Sequence, residues 1–377
     1  TLEFQELFTR AAETPITLSL WAGMEISGAT AVTLLCFVGA MGKSAQFPIH
    51  LWLPGSLFAP TPVHALLHAG IINAGGFLIN RLAPLFGLSS TTLHVAFVVG
   101  TITAILGATM MLAQNDIKKT LGFSTIGQMG YMIMECGLGA FSLAVFHLIA
   151  HGLFKGTVFL YCGNVIHKAR QEPHFPHGGH QAEEERLPRL TLIAGFVTTL
   201  VIPLLILLGT HGLLRIPLLE SQGTVIFLFF IWITSSQAIL TMTRLHQIAS
   251  WKVSTAMVMT LLFIMFIYLG AAETFTAFLY PNPNEVAFYF KSADLPDWIF
   301  DLIVILASAL TIAGWYYLYF IAQGRRPQMP TWLDRLRIHL YVPFMNRLYA
   351  DELYQSLGNG ITRLIHRLDK HQQGWLR

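Results

Sequence analysis

Three side chains that can carry protons recur at four-residue intervals within an apolar stretch of the chain. His147, His151 and Lys155 lie in the segment FHLIAHGLFKG. On an α-helix, four residues turn a side chain by only about 40°, so these groups form one polar stripe on an apolar helix. Imidazoles exchange protons near pH 7, and a lysine in a medium of low polarity releases its proton more readily than in water. A lone histidine would more simply be a buried hydrogen-bond donor, but three groups on one stripe predict a proton path.

Other ionisable residues fall inside further apolar stretches. Lys43 follows the run AVTLLCFVGAMG, while His64 and His68 lie four residues apart and so share one helix face. Glu135, in GYMIMECGLG, is either buried, where it pairs with a membrane lysine or relays protons, or placed at the lipid headgroups. Because ionisable groups are costly in hydrocarbon, each is a candidate for ion transport. The predicted proton-translocating residues are Lys43, His64, His68, Glu135, His147, His151 and Lys155.

The composition places these residues in a membrane protein. The 377 residues are 54% hydrophobic and 11% charged, whereas roughly one-quarter of a soluble domain is charged. This excludes a water-soluble globule. A net charge of +3, spread along the chain, is too weak for nucleic-acid binding. Motifs for nucleophilic catalysis, phosphate loops and dinucleotide binding are absent from the sequence, so we expect no covalent chemistry and no cofactor.

The apolar stretches predict an all-α, polytopic transmembrane helix bundle. About 20 apolar residues span the hydrocarbon as a helix. The segment 47–61, FPIHLWLPGSLFAPT, is too rich in proline for one straight helix and too apolar for a free loop, which predicts the second half of a broken helix. Such breaks occur in membranes only beside a cavity or packed protein. The nine predicted spans are 26–46, 62–81, 92–113, 120–138, 141–163, 190–209, 223–243, 253–270 and 298–322.

The distribution of lysine and arginine predicts the topology. With nine crossings, four of these residues fall on one side and seventeen on the other, with Lys43 and Lys155 inside the membrane. Positive residues accumulate in cytoplasmic loops, so we expect a multi-pass protein of the cell inner membrane with a cytoplasmic C-terminus. The predicted regions are an extramembrane segment (1–25), the proton-translocating helices (26–163), a hydrophilic His-rich linker (164–189), C-terminal spans (190–322) and a cytoplasmic amphipathic tail (323–377).

The linker and the tail are the two polar regions. The linker carries His167 and HFPHGGH, with His174, His177 and His180, but HxxHxxH in a loop is a weak zinc signal and we predict no metal. The tail has leucine and isoleucine at near-helical spacing among charges. It is either a solvated helix against the protein's own loops or a contact for the membrane surface or a partner subunit.

Three segments resemble the antiporter-like proton-translocating subunits shared by NADH-quinone oxidoreductases and Mrp-type antiporters. They are GKSAQFPIHLWLPGSLFAPTPVHALLHAGIINAGGFLINR (42–81), AQNDIKKTLGFSTIGQMGYM (113–132) and FHLIAHGLFKGTVFLYCGNVIH (146–167). The tail segment LYADELYQSL (348–357) is similar to the family's C-terminal region. The resemblance implies that the proton-carrying roles fall on Lys43, His68, His147, His151 and Lys155.

Two departures from the respiratory members of this family bear on function. Those members carry a lysine in a second broken helix after the linker, whereas the spans 190–209 and 223–243 contain neither lysine nor a carboxylate. Also absent is the helix that carries the glutamate partner of the first lysine, since it would precede Thr1; either the chain is a fragment or the partner lies elsewhere. With His64 in place of the usual small residue, LLHAGIINAGGFLINRLAPLF looks most like the DabB branch, the membrane subunits of two-component inorganic-carbon accumulation complexes.

The DabB resemblance implies a division of labour between two subunits. The soluble partner, DabA, resembles a zinc β-carbonic anhydrase, and the membrane subunit supplies the energy of a proton or sodium gradient. The alternative is a proton-pumping subunit of an NADH-quinone oxidoreductase-type or Mrp-type complex, from which the missing lysine distinguishes this chain. A third class, a membrane anchor without ion traffic, would have no use for the stripe of His147, His151 and Lys155.

Overall fold

Helices make up most of the described chain. The computed structural model describes residues 3–19, 25–56, 59–171, 270–303 and 331–375, with seven isolated positions from 259 to 313. The predicted spans 190–209 and 223–243 and most of 253–270 and 298–322 lie outside the described residues. The helices are α1 (Phe4–Glu13), α2 (Gly28–Lys43), α3 (Trp52–Gly55), α4 (Thr61–Ala69), α5 (Ala74–Arg81), α6 (Ala83–Phe86), α7 (Ser90–Ala113), α8 (Ile117–Gly137), α9 (Phe141–Gln171), α10 (Pro283–Ala293), α11 (Thr331–Met345) and α12 (Ala350–Trp375).

Three helical stretches in this part of the chain are long and apolar enough to cross a membrane. They are Thr61–Arg81, Ser90–Ala113 and Phe141–Cys162, and α2 is a shorter apolar helix. The prediction of a helical membrane protein is therefore confirmed at this level. One local difference from the predicted all-α fold is a small antiparallel pair of strands, β1 (Thr17–Ser19) and β2 (Glu25–Ser27), before α2.

The stretch Thr61–Arg81, where the sequence predicts one span over 62–81, is not one continuous α-helix. Helix α4 ends at Ala69, a 3-10 turn covers Ile71–Asn73, and α5 begins at Ala74. The side chain of Asn73 donates a hydrogen bond of 2.7 Å to the carbonyl of Ala69 and so stabilises the interruption. A glycine, Gly70, occupies the junction, where its low helix propensity makes the break less costly.

Glycines bring α7 and α8 into close contact. A β-carbon at Gly100 or Gly107 would collide with the backbone of α8, and one at Gly130 would collide with the backbone of α7. Membrane helices use small residues at their interfaces because packing, and not water exclusion, drives their association. Helix α8 is thereby fixed along its length and presents its other faces to α9 and α3.

The segment between α2 and α4 is mainly irregular. The Phe47 amide donates to the hydroxyl of Thr103, near the middle of α7, so α2 ends at that depth of the bundle. The Trp52 indole donates to the carbonyl of Gly42, and α3 is the only α-helix in the described part of this segment. Residues 57 and 58 lie outside the described residues, so the broken helix across 47–61 stays a prediction.

Helix α10 packs over the α8–α9 turn. This turn contains Gly139 at φ +75°, a conformation that favours glycine, and Tyr289 packs against it and, edge to face, against Phe141. The Tyr289 hydroxyl donates a hydrogen bond of 2.8 Å to Glu285. Burial and the adjacent carboxylate raise the pKa of Tyr289 above its usual value, so the phenol stays neutral. These contacts hold together the α8–α9 hairpin, which carries the candidate site.

The tail is helical where it is described. Helix α12 exposes Leu353, Leu357, Ile361 and Ile365, which are spaced so that they share one face of the helix. What this face contacts, whether membrane or partner, stays a prediction.

Candidate proton-translocation site

A buried carboxylate and a histidine pair across α8 and α9. Glu135 is 1% exposed, and its Oε2 lies 3.0 Å from Nδ1 of His147. On the other side of the imidazole, Nε2 lies 3.0 Å from Oε1 of Gln128. Sequence reasoning left Glu135 either buried or at the headgroups, and the structure buries it beside a histidine. The ring of Tyr131 packs 5.3 Å from that of His147, between centroids.

This pairing allows a proton to move between Glu135 and His147 without any movement of side chains. If Glu135 is protonated, it donates to Nδ1 of a neutral imidazole, while Nε2–H donates to Gln128. If the proton is on His147, the imidazolium donates from both nitrogens, and Glu135 accepts as a carboxylate. Both states keep the same hydrogen bonds. The geometry is therefore suited to a proton-transfer step.

The rest of the predicted stripe follows on α9. The ring centroids of His147 and His151 are 6.1 Å apart, and His151 is 5% exposed. Both ring nitrogens of His151 lack a hydrogen-bond partner among the described residues. Lys155 is 2% exposed, and its Nζ donates a hydrogen bond of 2.8 Å to the hydroxyl of Ser124. An ammonium group at this depth is costly unless it has such a partner.

Helix α4 adds the two remaining histidines. The rings of His64 and His68 are 4.8 Å apart between centroids, and His68 stacks on Phe159 of α9 at 4.4 Å. Lys155 and His151 are close enough to His68 to act on it electrostatically. At the other end of this pair, Nε2 of His64 lies 3.1 Å from the Ser56 hydroxyl.

A single glycine permits the close approach of α4 and α9. A β-carbon at Gly152 would lie 2.7 Å from the carbonyl oxygen of Ala69. Any larger residue would push the two helices apart. His68 would then lie farther from the stripe on α9. The close approach thus depends on a residue type that the spacing of ionisable groups does not reveal.

The structure brings six of the predicted residues together and leaves Lys43 apart. We refer to the six, His64, His68, Lys155, His151, His147 and Glu135, as the buried array. Lys43 is the last residue of α2 and is exposed on the single chain. Within the described ranges its side chain makes no hydrogen bond or ion pair, in contrast to the buried position expected from the sequence.

Three polar residues of α8 contribute to the site but were not predicted from the sequence. Ser124, Gln128 and Tyr131 contact the side chains of α9, and together with Glu135 they recur at positions i, i+4, i+7 and i+11. This is the spacing of one helix face. The signal was therefore present, but serine, glutamine and tyrosine are uncharged and do not stand out as membrane residues.

Metal binding finds no support in the described residues. Among them, no cluster of three or more histidine, cysteine or acidic side chains is placed to hold an ion. The candidate ligands His174, His177 and His180 of the linker lie outside the described residues.

Comparisons with known proteins show the family to which the chain belongs. The transmembrane family NADH:quinone oxidoreductase/Mrp antiporter matches residues 1–241. The chain therefore belongs to this family of antiporter-like membrane subunits.

Individual relatives come from two kinds of complex. The "Probable inorganic carbon transporter subunit DabB1" of Halothiobacillus neapolitanus is 41% identical over 380 residues, which cover 100% of this chain and 66% of the relative. The NADH-quinone oxidoreductase subunit L of Neisseria meningitidis is 39% identical over 204 residues, or 54% of this chain and 30% of the relative. The NAD(P)H-quinone oxidoreductase chain 5 of Synechocystis is 49% identical over 145 residues, or 38% of this chain and 21% of the relative. The chain thus spans less than two-thirds of the length of each.

Proposed function

We propose that the chain moves protons, or sodium ions, across the membrane along the buried array. The pairing of Glu135 with His147 is the observation that carries this proposal, because it links an acid and a base by one hydrogen bond of 3.0 Å inside the bundle. His151, Lys155 and His68 continue the array, where water molecules bridge the longer steps. Lys43 belongs to the path by resemblance to the family.

The direction of the array favours transport across the bundle over a local structural role. Ser124, which binds Lys155, and Glu135 are eleven residues apart on α8, which corresponds to about 16 Å along the helix axis. His64 lies beyond Lys155, close enough to Lys118 for the two to interact electrostatically. A structural cluster needs no such extension along the helix.

We further propose that this ion movement drives the accumulation of inorganic carbon, as bicarbonate or carbon dioxide. The likeness to the DabB1 subunit extends over the whole chain, whereas the subunit L relative matches 54% of it. A soluble DabA-like subunit of the zinc carbonic-anhydrase type would be the partner. The excess of lysine and arginine in one set of loops supports a place in the cell inner membrane, with the tail and the partner on the cytoplasmic side.

Reconstitution in liposomes tests the ion path separately from the coupling of ion movement to inorganic-carbon uptake. The subunit alone, in liposomes with a trapped pH-sensitive dye, should leak protons slowly under an imposed potential, since an open path would collapse the gradient. With the partner added, we expect gradient-dependent uptake of radiolabelled inorganic carbon that an uncoupler abolishes. Uptake that persists in uncoupled vesicles would refute the coupling. Rapid proton conduction by the subunit alone would point instead to a plain channel or antiporter.

The alternative is a proton-pumping subunit of an NADH-quinone oxidoreductase-type or Mrp-type complex. It rests on the partial matches to respiratory subunits. Truncation of the tail from residue 331 separates the two. If the tail holds a soluble carbonic-anhydrase-like partner, the truncated chain should insert normally but lose that partner on co-purification. Co-purification with quinone-oxidoreductase subunits in place of such a partner would favour the alternative.

A further inference from the structure

The interruption of the stretch Thr61–Arg81, at residues 70–73, places main-chain groups inside the bundle without their helical partners. Ile72 and Asn73 in this interruption are 0% and 4% exposed. Main-chain groups without a hydrogen bond are costly away from water, so a break in a membrane helix persists only where other groups supply the missing bonds. Two side chains supply them here, one for each half of the stretch.

Ser44, the residue that follows Lys43 at the end of α2, holds the second half. Its hydroxyl donates a hydrogen bond of 2.6 Å to the carbonyl of Ile72 and accepts one of 3.0 Å from the amide of Gly75. The Ser44 side chain is fully buried. A β-carbon at Gly75 would collide with the carbonyl of Ala40, so a glycine is needed for α5 to approach α2 this closely. The end of α2 is thus tied to the interruption and to α5.

Asn73 holds the first half of the stretch. Its Nδ2 donates a hydrogen bond of 2.7 Å to the carbonyl of Ala69. A β-carbon at Gly152 of α9 would lie 2.7 Å from the oxygen of that carbonyl and 3.9 Å from Nδ2 of Asn73. Ala69 follows His68 in the chain, and Gly152 follows His151. Hydrogen bonds therefore connect the end of α2, through the interruption, to the contact between α4 and α9.

His68 depends on this contact for its place in the buried array. Its ring stacks on that of Phe159 of α9, at 4.4 Å between centroids. On the side of α8, a β-carbon at Gly122 would lie 3.9 Å from Cε1 of the imidazole. His68 is fully buried and lies one residue before the end of α4. A shift of that end would therefore change the distance of the imidazole from both helices.

We propose that Ser44 is a positioning residue of the proton path, which fixes the interruption so that the end of α4, with His68, stays in contact with α9. Within the described residues, the Ser44 hydroxyl bonds only to main-chain groups, so it acts through the backbone and carries no proton itself. The inference rests on the proposed proton function and deepens it. Lys43 lies apart from the buried array, but the next residue of the chain holds that array in place.

The test compares Ser44→Ala with Thr33→Val. Thr33 is also a buried residue of α2, and its hydroxyl lies 2.8 Å from that of Thr92 on α7, which has no part in the interruption. Gradient-driven proton flux is measured in liposomes that hold the chain together with its proposed partner. A displacement of about 1 Å can cost a reaction about 100-fold in rate, and we expect a smaller shift here. Ser44→Ala should lower the flux about tenfold, and Thr33→Val by less than about twofold. Equal losses would assign the effect to the removal of any buried hydroxyl and refute the positioning role.

Double variants test whether Ser44 acts through the α4–α9 contact. Gly152→Ala disturbs that contact directly, so the addition of Ser44→Ala should cause little further loss of flux, since changes at one joint are not additive. Thr33→Val combined with Gly152→Ala should give the product of the two single effects. If the losses of Ser44→Ala and Gly152→Ala also multiply, the two residues act separately and the inference is wrong.

Hydrogen–deuterium exchange gives a measurement that does not depend on flux. In Ser44→Ala, the amide of Gly75 loses its acceptor, so peptides that cover residues 70–76 should exchange faster than in the wild type and in Thr33→Val. Unchanged exchange would show that Ser44 does not fix the interruption and would overturn the inference. If the wild-type chain and its partner carry no protons, the proposed function fails and the positioning role fails with it. Wild-type flux that Ser44→Ala leaves intact would refute the positioning role alone.

Discussion

Replacement of Glu135 by glutamine removes the proton-accepting group of the buried array and preserves its shape. The Glu135 carboxylate pairs with His147 at 3.0 Å, and its Oε1 has no hydrogen-bond partner among the described residues. In Glu135→Gln, the amide oxygen can still accept from Nδ1 of His147. What is lost is the protonation change that lets the pair share a proton.

The expected loss of flux is large because, among the described residues, Glu135 is the only carboxylate that pairs with His147. A positioned acid or base typically contributes about 10²- to 10⁴-fold to a proton transfer. We expect the lower end, about 100-fold, since water can bridge part of the gap. This corresponds to about 2.7 kcal/mol in the barrier. The cost in folding stability should be smaller, at about 1 to 3 kcal/mol for a buried amide with unpaired hydrogens.

The assay is gradient-driven proton flux in liposomes that hold the chain together with its proposed partner, normalised to the amount of folded protein, because the chain alone should leak protons only slowly. The matched control is Glu285→Gln on α10, where the carboxylate accepts a hydrogen bond from Tyr289 at 2.8 Å outside the array. That variant loses the same charge and keeps its acceptor, so its flux should change by less than about twofold. A Glu135→Gln protein with wild-type flux would refute the role of the pair, and an equal loss in both variants would assign the effect to net charge.

Further variants test other links in the buried array. Lys155→Ala should abolish coupled activity at normal protein level, because a buried ammonium is retained for transport and not for stability. His151→Ala should be milder, since water can replace one relay member, and a fully inactive variant would show instead that its imidazole is indispensable. Gly152→Ala should impair flux by forcing α4 from α9, whereas Gly156→Ala, whose new methyl would lie 3.6 Å from the Ala69 side chain, should be tolerated. Equal flux in these two glycine variants would mean that the close approach is not needed.

The sequence predicted the site best for the ionisable residues that lie on one helix. The spacing of His147, His151 and Lys155 fixes them on one face of α9, whatever the rest of the fold does. Partners across helices could not be derived in this way. Glu135 lies twelve residues from His147, and their pairing depends on the turn at Gly139 and the packing that orients the α8–α9 hairpin.

Backbone details were the least predictable from the sequence. The span 62–81 reads as one apolar helix, yet the amide of Asn73 and the absence of a side chain at Gly70 allow an interruption that hydropathy does not detect. Lys43 follows a long apolar run and was expected to be buried. Burial depends on neighbours, however, and α2 places this residue on an exposed surface of the chain.

The length of α8 bears on how far across the membrane one chain can conduct protons. The predicted spans 190–209 and 223–243 offer no ionisable group. Lys118, which acts on His64, and Glu135 are seventeen residues apart on α8, or about 25 Å of helix, against a hydrocarbon thickness of about 30 Å. The part of the buried array between Glu135 and Ser124, which binds Lys155, covers about 16 Å of this length. Its weak points are the steps longer than a hydrogen bond, such as that between the rings of His147 and His151 at 6.1 Å. Because these steps require water, hydration around His147 and His151 should control conduction more strongly than the number of ionisable groups.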